Sequence, residues 1–271
     1  MERGTAQAAL FPLFEEGGTP MEALYLQLSA VKDLTFWQDF FLKFYRAFIM
    51  ENRWQQYIKG VGTTLAATAL ALLLGVLLGL IVAMIRTAHD QQRPGHRNPV
   101  LGFINAVTKV YVTVIRGTPM MLQLMIWMFV VFTWSRNATM VGIFGLGINS
   151  GAYVSEIIRG GLMSVDGGQA EAGRSLGLNY GDTMRFIVIP QAIKAILPSL
   201  GNEFIMLLKD TSLLTVIGGK ELLYAARGIA NRNYEQMFPL FGAAVIYLVL
   251  VMLFTWLLGK LERRLRESDR R

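Results

Sequence analysis

One stretch limits what this chain can fold into more than any other. Gly60 to Ile85 is 26 residues without a charge, bounded by Lys59 and Arg86. About 20 such residues cross a bilayer as a helix, so this run predicts a spanning helix with room to tilt. Further uncharged runs lie at Gly117–Ser135, at Asn137–Ser155 with an extension to Ile158, and at Pro239–Gly259. Ile196–Gly218 is also apolar but holds Glu203, Lys209 and Asp210. The pattern predicts an all-α integral membrane protein with five transmembrane helices.

Composition narrows the function classes. Only 17% of the 271 residues are charged and 53% are hydrophobic. Soluble domains usually carry about 25% charged residues. Mean hydropathy is +0.41. Cysteine is absent, which excludes a disulfide framework, a thiol nucleophile and a cysteine metal site. His89 and His96 share one basic loop and read as solvated rather than metal-binding. The net charge of +7 does not indicate nucleic acid, because the charges flank apolar runs instead of forming one basic face.

Between the spans the chain is more varied. Residues 1–35 include Gly17-Gly18 and lack the parts of a signal peptide. Phe36 to Tyr57 is aromatic and amphipathic, with Asp39, Lys43 and Arg46 interrupting; it predicts a helix lying in the membrane interface, with a soluble tail helix as the alternative. Gly75 and Gly79 form a small-xxx-small pair, suited either to packing within the chain or to a dimer face. Arg86–Pro99 is a basic loop. Val100–Arg116, broken by Lys109, predicts an interfacial elbow helix, and Thr118-Pro119 the start of the next span. Gly142, Gly145 and Gly147 permit tight packing or a flexible segment. Residues 219–238 are polar, with a short helix expected around Glu221–Arg227. Glu156 and Arg159, one turn apart, predict a local ion pair worth about 0.2–0.5 kcal/mol.

Basic residues set the expected orientation. With the N-terminus outside, the inner segments 86–117, 156–194 and 260–271 hold 15 Lys and Arg. The short outer loops hold four, Arg136, Lys220, Arg227 and Arg232, and the N-terminal region adds six. This bias predicts five spans, N-terminus out and C-terminus in.

A polar island interrupts the apolar pattern at Glu171-Ala172-Gly173-Arg174-Ser175-Leu176-Gly177, followed by Ile187-Val188-Ile189-Pro190. Gln169–Leu176 predicts a short helix with a small face. Gly177 stands where a left-handed residue would end it. Asn179 offers an N-cap to a second helix, with Asp182 as a capping-box-like partner. Met184, Ile187 and Val188 recur on one face of that second helix, and Pro190 is expected to weaken it near its end.

The spacing Glu-Ala-Gly, three residues, Gly177, nine residues, Ile187-x-Ile189-Pro190 resembles the EAA loop of ABC-importer permeases. Gly173 and Ile189 depart from the Ala and Leu of that motif. Arg116-Gly117-Thr118-Pro119, Ala152-Tyr153 to Glu156, Arg159-Gly160-Gly161, Gly168-Gln169 and Leu208-Lys209-Asp210-Thr211-Ser212-Leu213 sharpen the likeness to permease subunits of polar amino acid importers, over roughly Gly60 to Leu258. The resemblance implies the type I importer fold. It implies a domain plan of an N-terminal extension (1–58), a transmembrane permease domain (59–260) with a coupling loop near 165–195, and a basic cytoplasmic tail (261–271).

It also implies partners. A separate dimeric ATP-binding subunit would bind ATP and Mg, since this chain has no Walker A motif and no cofactor of its own. A second permease subunit, identical or similar, would complete the pathway, and an extracytoplasmic binding protein would deliver substrate in a bacterial cytoplasmic membrane. Glu171 would anchor the coupling helix on the ATPase. Ala172, Gly173 and Gly177 would give the close fit, with Ser175 and Leu176 on the same helix.

Charges in a span cost roughly 2.5–3.5 kcal/mol at its centre and usually face protein or a watery path. Glu203, Lys209 and Asp210, with Asn202 and Thr211 beside them, are therefore candidates for the substrate pathway or for a structural ion pair. No catalytic constellation is present: Ser150 and Ser155 have no histidine nearby in sequence. An intramembrane enzyme and a passive channel are the alternative classes, and flux without an ATPase would mark the channel.

Overall fold

The computed structural model describes residues 20–31, 33–92 and 98–268. The expectations for Gly17-Gly18, for the centre of the basic loop with His96, and for the extreme C-terminus lie outside the described residues. Regular structure among the described residues is helical throughout. In chain order the helices are α1 Pro20–Ser29, α2 Phe36–Phe44, α3 Trp54–Asp90, α4 Pro99–Gly117, α5 Met120–Ile126, α6 Ala138–Met163, α7 Gly167–Ser175, α8 Tyr180–Thr183, α9 Ile189–Asp210, α10 Leu222–Asn233 and α11 Met237–Ser268. A π-turn, Met184–Val188, joins α8 to α9, and a 3-10 turn, Thr211–Ile217, extends α9.

Among the described residues, five helical segments are long and apolar enough to cross a membrane: Trp54–Asp90, Pro99–Gly117, Ala138–Met163, Tyr180–Ile217 and Met237–Leu265. The number matches the expectation, but the second member differs. Pro99–Gly117, expected as an interfacial elbow, qualifies by length and composition, whereas the helix within Gly117–Ser135 covers only Met120–Val131. At 1.5 Å per residue that shorter helix reaches about 18 Å, against about 30 Å of hydrocarbon. Two local features decide this. Thr118 and Pro119 are extended and break the chain between α4 and α5. Lys109 interrupts the apolar run but not the helix, because a lysine stem lies along apolar surface while its ammonium reaches polar surroundings.

The centre of the molecule is the α3–α6 pair, and glycines set its spacing. A Cβ on Gly75 would stand 2.7 Å from the Ser150 Cβ, and one on Gly79 would stand 2.7 Å from Val154 Cγ1. The small-xxx-small pair therefore packs inside the chain, which removes the dimer-face alternative for these two glycines. From the other side, Gly147 receives Leu74, and Gly142 receives Leu214. The glycines of α6 serve tight packing, the first of the two options the sequence left open. The helix α9 lies between α6 and α11, and α10 closes the end where α3 begins, with Leu222 seated on Gly60.

Three expectations change at the helix ends. Phe36–Tyr57 is not one helix: Glu51 and Asn52 adopt left-handed φ of 54° and 55°, so the chain turns before α3 starts at Trp54. Pro190 does not end its helix. It stands at the second position of α9, and the π-turn before it relaxes the ladder where proline lacks an N–H and crowds the carbonyl four residues back. The second helix of the polar island is thus the start of a 38-residue segment. Glu156 and Arg159 do not pair with each other. Glu156 pairs with Arg86, and Arg159 pairs with Asp90 at 2.6 Å, so both reach across to α3.

Candidate functional site

The polar island folds into a capped helical hairpin at the C-terminal end of α3. Asp166 caps α7, its carboxylate accepting from Gly168 N at 2.6 Å. The other end of α7 closes in a Schellman motif. Gly177 has φ 83°; its N–H donates to Arg174 O at 2.9 Å, and Leu178 N donates to Gly173 O at 3.1 Å. Two residues later Asn179 caps α8, accepting from Asp182 N at 2.9 Å while its own amide donates to the Asp182 carboxylate at 2.6 Å. The hydrogen bonds that form this corner close within five residues, so its turn geometry is set locally.

The hairpin presents some of the candidate residues and hides one. Glu171, Ala172, Ser175, Leu176 and Gly177 are exposed, Leu176 to 80%. Among the described residues, neither a hydrogen bond nor an ion pair engages the Glu171 carboxylate. Gly173 is buried, and a Cβ there would meet Ile187 Cδ1 at 2.9 Å and Thr183 Cγ2 at 3.0 Å. Gly173 therefore lets α7 lie on the turn after α8, whereas its exposed neighbours face outward. The root of the hairpin is tied to α3, where the Tyr180 hydroxyl donates to Gln91 Oε1 at 2.6 Å. Beneath it an apolar cleft of about 600 Å³ runs between α3, α6 and α9, lined by Met84, Ile158, Met184 and Ile193 among others.

The charged residues of α9 divide between two faces. Glu203 is buried against α6 and accepts from the Ser150 hydroxyl at 2.7 Å. Thr211 is buried, its hydroxyl donating to Leu208 O at 2.7 Å. Asn202, Met206 and Lys209 are exposed at i, i+4 and i+7, which is one helical stripe. Asp210 is half-buried between the two sets. A spanning helix thus shows a polar stripe outward and holds one carboxylate inward. Among the described residues, no group of three His, Cys, Asp or Glu side chains is placed to hold a metal ion.

Two polar clusters escaped the sequence reading. Gln123 bridges the α4–α5 break, its amide donating to Ile115 O at 2.7 Å and to the Thr118 hydroxyl at 2.8 Å, and it accepts from Asn149 at 3.1 Å. Glu221, 1% exposed, caps α10 through Leu223 N at 2.8 Å and Tyr224 N at 2.7 Å. It also accepts from Thr215 and, at 2.5 Å, from the Tyr247 hydroxyl. The available signal was a carboxylate and amides beside apolar runs, since burial of such groups is costly without partners.

These features define a protein of membrane-length apolar helices with a capped polar hairpin beyond one end of its central helix pair, an arrangement that a transport permease can have. The comparisons agree. Residues 99–267 match the family of binding-protein-dependent transport system inner membrane components, and the chain belongs to that family. Among its relatives, the glutamine transport system permease protein GlnP of Escherichia coli (strain K12) is 36% identical over 77% of this chain and 92% of that protein. The arginine transport system permease protein ArtQ of Bacillus subtilis (strain 168) is 34% identical over 78% and 93%. Among solved structures, an amino acid ABC transporter crystallised with histidines matches with a TM-score of 0.70 and 40% identity, over 78% of this chain and 94% of that one. The chain is a transport component, a permease with several membrane-spanning helices.

Proposed function

We propose that this chain is the permease subunit of an ATP-driven importer for polar amino acids, and that Gly167–Ile189 is its coupling hairpin. The observation that carries the reading is the capped corner at Gly177. It holds Glu171, Ala172, Ser175 and Leu176 outward on a short rigid helix, as a joint seated in a groove of an ATPase subunit requires. Relatives named for glutamine and arginine transport support the substrate class. ATP and Mg belong to the ATPase dimer, and hydrolysis takes place there. A second permease subunit of the same or similar sequence completes the route, and an extracytoplasmic binding protein supplies substrate.

In this reading the hairpin lies inside the cell, with the N-terminus outside and the C-terminus inside. The polar stripe Asn202–Lys209, with Asp210, lines the pathway, and Glu203 and Thr211 support it from within the fold. Ser150 holds the Glu203 carboxyl group in one orientation and gives it a partner at membrane depth, where a polar group without one is costly.

Reconstitution tests this. The permease, its ATPase and its binding protein should co-purify, and polar amino acids should stimulate hydrolysis. Substrate flux in vesicles without any ATPase would overturn the importer reading. A single cysteine at Ser175 should react only from the inside and one at Asn231 only from the outside; the opposite pattern would remove the hairpin from the ATPase side.

A further inference from the structure

The helices before α3 have no role in transport as described above. The relatives leave roughly a fifth of this chain unmatched, and the family match begins only at residue 99. Two features of residues 20–53 stand out. One is a pin. Arg53 is buried, and its guanidinium donates to Arg46 O at 2.6 Å and to the side-chain oxygen of Asn233, the last residue of α10. Asn233 in turn donates to Arg46 O at 3.1 Å, and Arg232 donates to Gln56 at 2.6 Å. The rings of Phe40 and Phe238 meet at 5.0 Å, and Phe48 sits on Gly242. The segment is therefore fastened to the turn between α10 and α11.

The other feature is an uncovered face. Leu42 and Tyr45 point into the protein, while Phe36 (74% exposed), Trp37 (73%), Phe40 and Phe44 form an outward stripe without a charge. Phe40 meets Phe238 at the start of the spanning helix α11, where Phe241 and Val245 are also exposed, as are Trp54 and Ile58 at the start of α3. The only described charges on α2, Asp39 and Lys43, pair with each other at 2.6 Å on its flank. A stripe of rings level with the ends of spanning helices fits the bilayer interface, where aromatic side chains concentrate.

We propose that residues 36–53 are a membrane-anchored brace: the Phe36–Phe44 stripe lies in the lipid interface, and Arg53 transmits that anchorage to the α10–α11 turn. The inference rests on α3 and α11 spanning the bilayer, not on the transported solute. Its ligand is a phospholipid surface.

The chain has no cysteine, so Trp37→Cys and, separately, Lys43→Cys can each carry one fluorophore in the full reconstituted complex. The vesicles would contain phosphatidylcholine and phosphatidylglycerol, with nitroxide lipids labelled at the headgroup or at mid-chain. Headgroup-level nitroxide should quench the probe at 37 by more than half, and at least twofold more than it quenches the probe at 43. Quenching of position 37 only by an aqueous nitroxide would overturn the anchorage. So would insensitivity to every quencher together with cross-linking between two copies, because protein would then cover the face. For the pin, Asn233→Ala should speed amide exchange at residues 231–235 about tenfold while the amount of complex stays normal, and Arg53→Met should do the same. Unchanged exchange in the Asn233→Ala complex overturns the brace even if Arg53→Met fails to assemble.

Discussion

The two ends of α3 carry helix turns built on opposite principles. At one end, the backbone hydrogen bonds of the Asp166–Asp182 hairpin reach partners no more than five residues away. Glu171, Ala172, Ser175 and Leu176 there remain exposed. At the other end, Thr215 and Tyr247 donate to Glu221, the Leu222 N–H donates to Thr64, and the Arg53 guanidinium donates to Asn233, over separations of up to 180 residues. Those polar groups are buried or half-buried and spent on one another. A local corner can be altered without unfolding the protein and offers its surface to a partner. A long-range cluster holds several helices at once and offers nothing.

The largest effect should come from the buried cluster. Glu221→Ala leaves two backbone N–H groups and two hydroxyls without their acceptor, each a donor whose burial costs about 1–3 kcal/mol. Water entry will recover part of this, so a loss of about 3 kcal/mol is expected, read as a drop in the thermal midpoint of purified protein and in membrane level. Glu171→Ala, the carboxylate of the other region, should leave both unchanged. Equal midpoints for the two variants would dissolve the contrast.

Gly177→Val comes next. A β-branched residue in the left-handed region costs about 1–2 kcal/mol, and a shift of 1.4 kcal/mol is tenfold in population. Protein level should remain near normal while ATPase binding weakens and substrate-stimulated hydrolysis falls severalfold. Normal coupling in this variant would mean that the corner does not set the joint.

Within the membrane, Glu203→Gln and Lys209→Met should alter uptake more than assembly. Loss of Ser150 as a partner gives a sharper comparison: Ser150→Ala should mimic Glu203→Gln in transport if the hydroxyl orients the carboxylate. Wild-type uptake and selectivity in both Glu203→Gln and Lys209→Met would leave these charges a structural role only. The smallest effect on stability is expected for Leu176→Ser, which removes an exposed side chain. Its thermal midpoint should match the parent, and only ATPase affinity should fall.

What the sequence determined by itself was what short-range physics decides. Uncharged runs specified the spanning helices α3, α6 and α11 because hydrocarbon excludes charge along some 20 residues regardless of neighbours, whereas the uncharged run Gly117–Ser135 fell short and Pro99–Gly117 took its place. The Gly177 corner and the Asn179 cap were legible because their hydrogen bonds close within a few residues, and only certain side chains tolerate those dihedrals. The tertiary structure decided the rest. Glu156 chose Arg86 over Arg159 because α3 lies beside α6, a fact absent from the i, i+3 spacing. Gly173 turned inward because the chain after α8 folds over it. Glu221 and Arg53 became buried anchors only when α3, α10 and α11 converged, since a polar group's worth depends on whether a distant partner arrives before water is excluded.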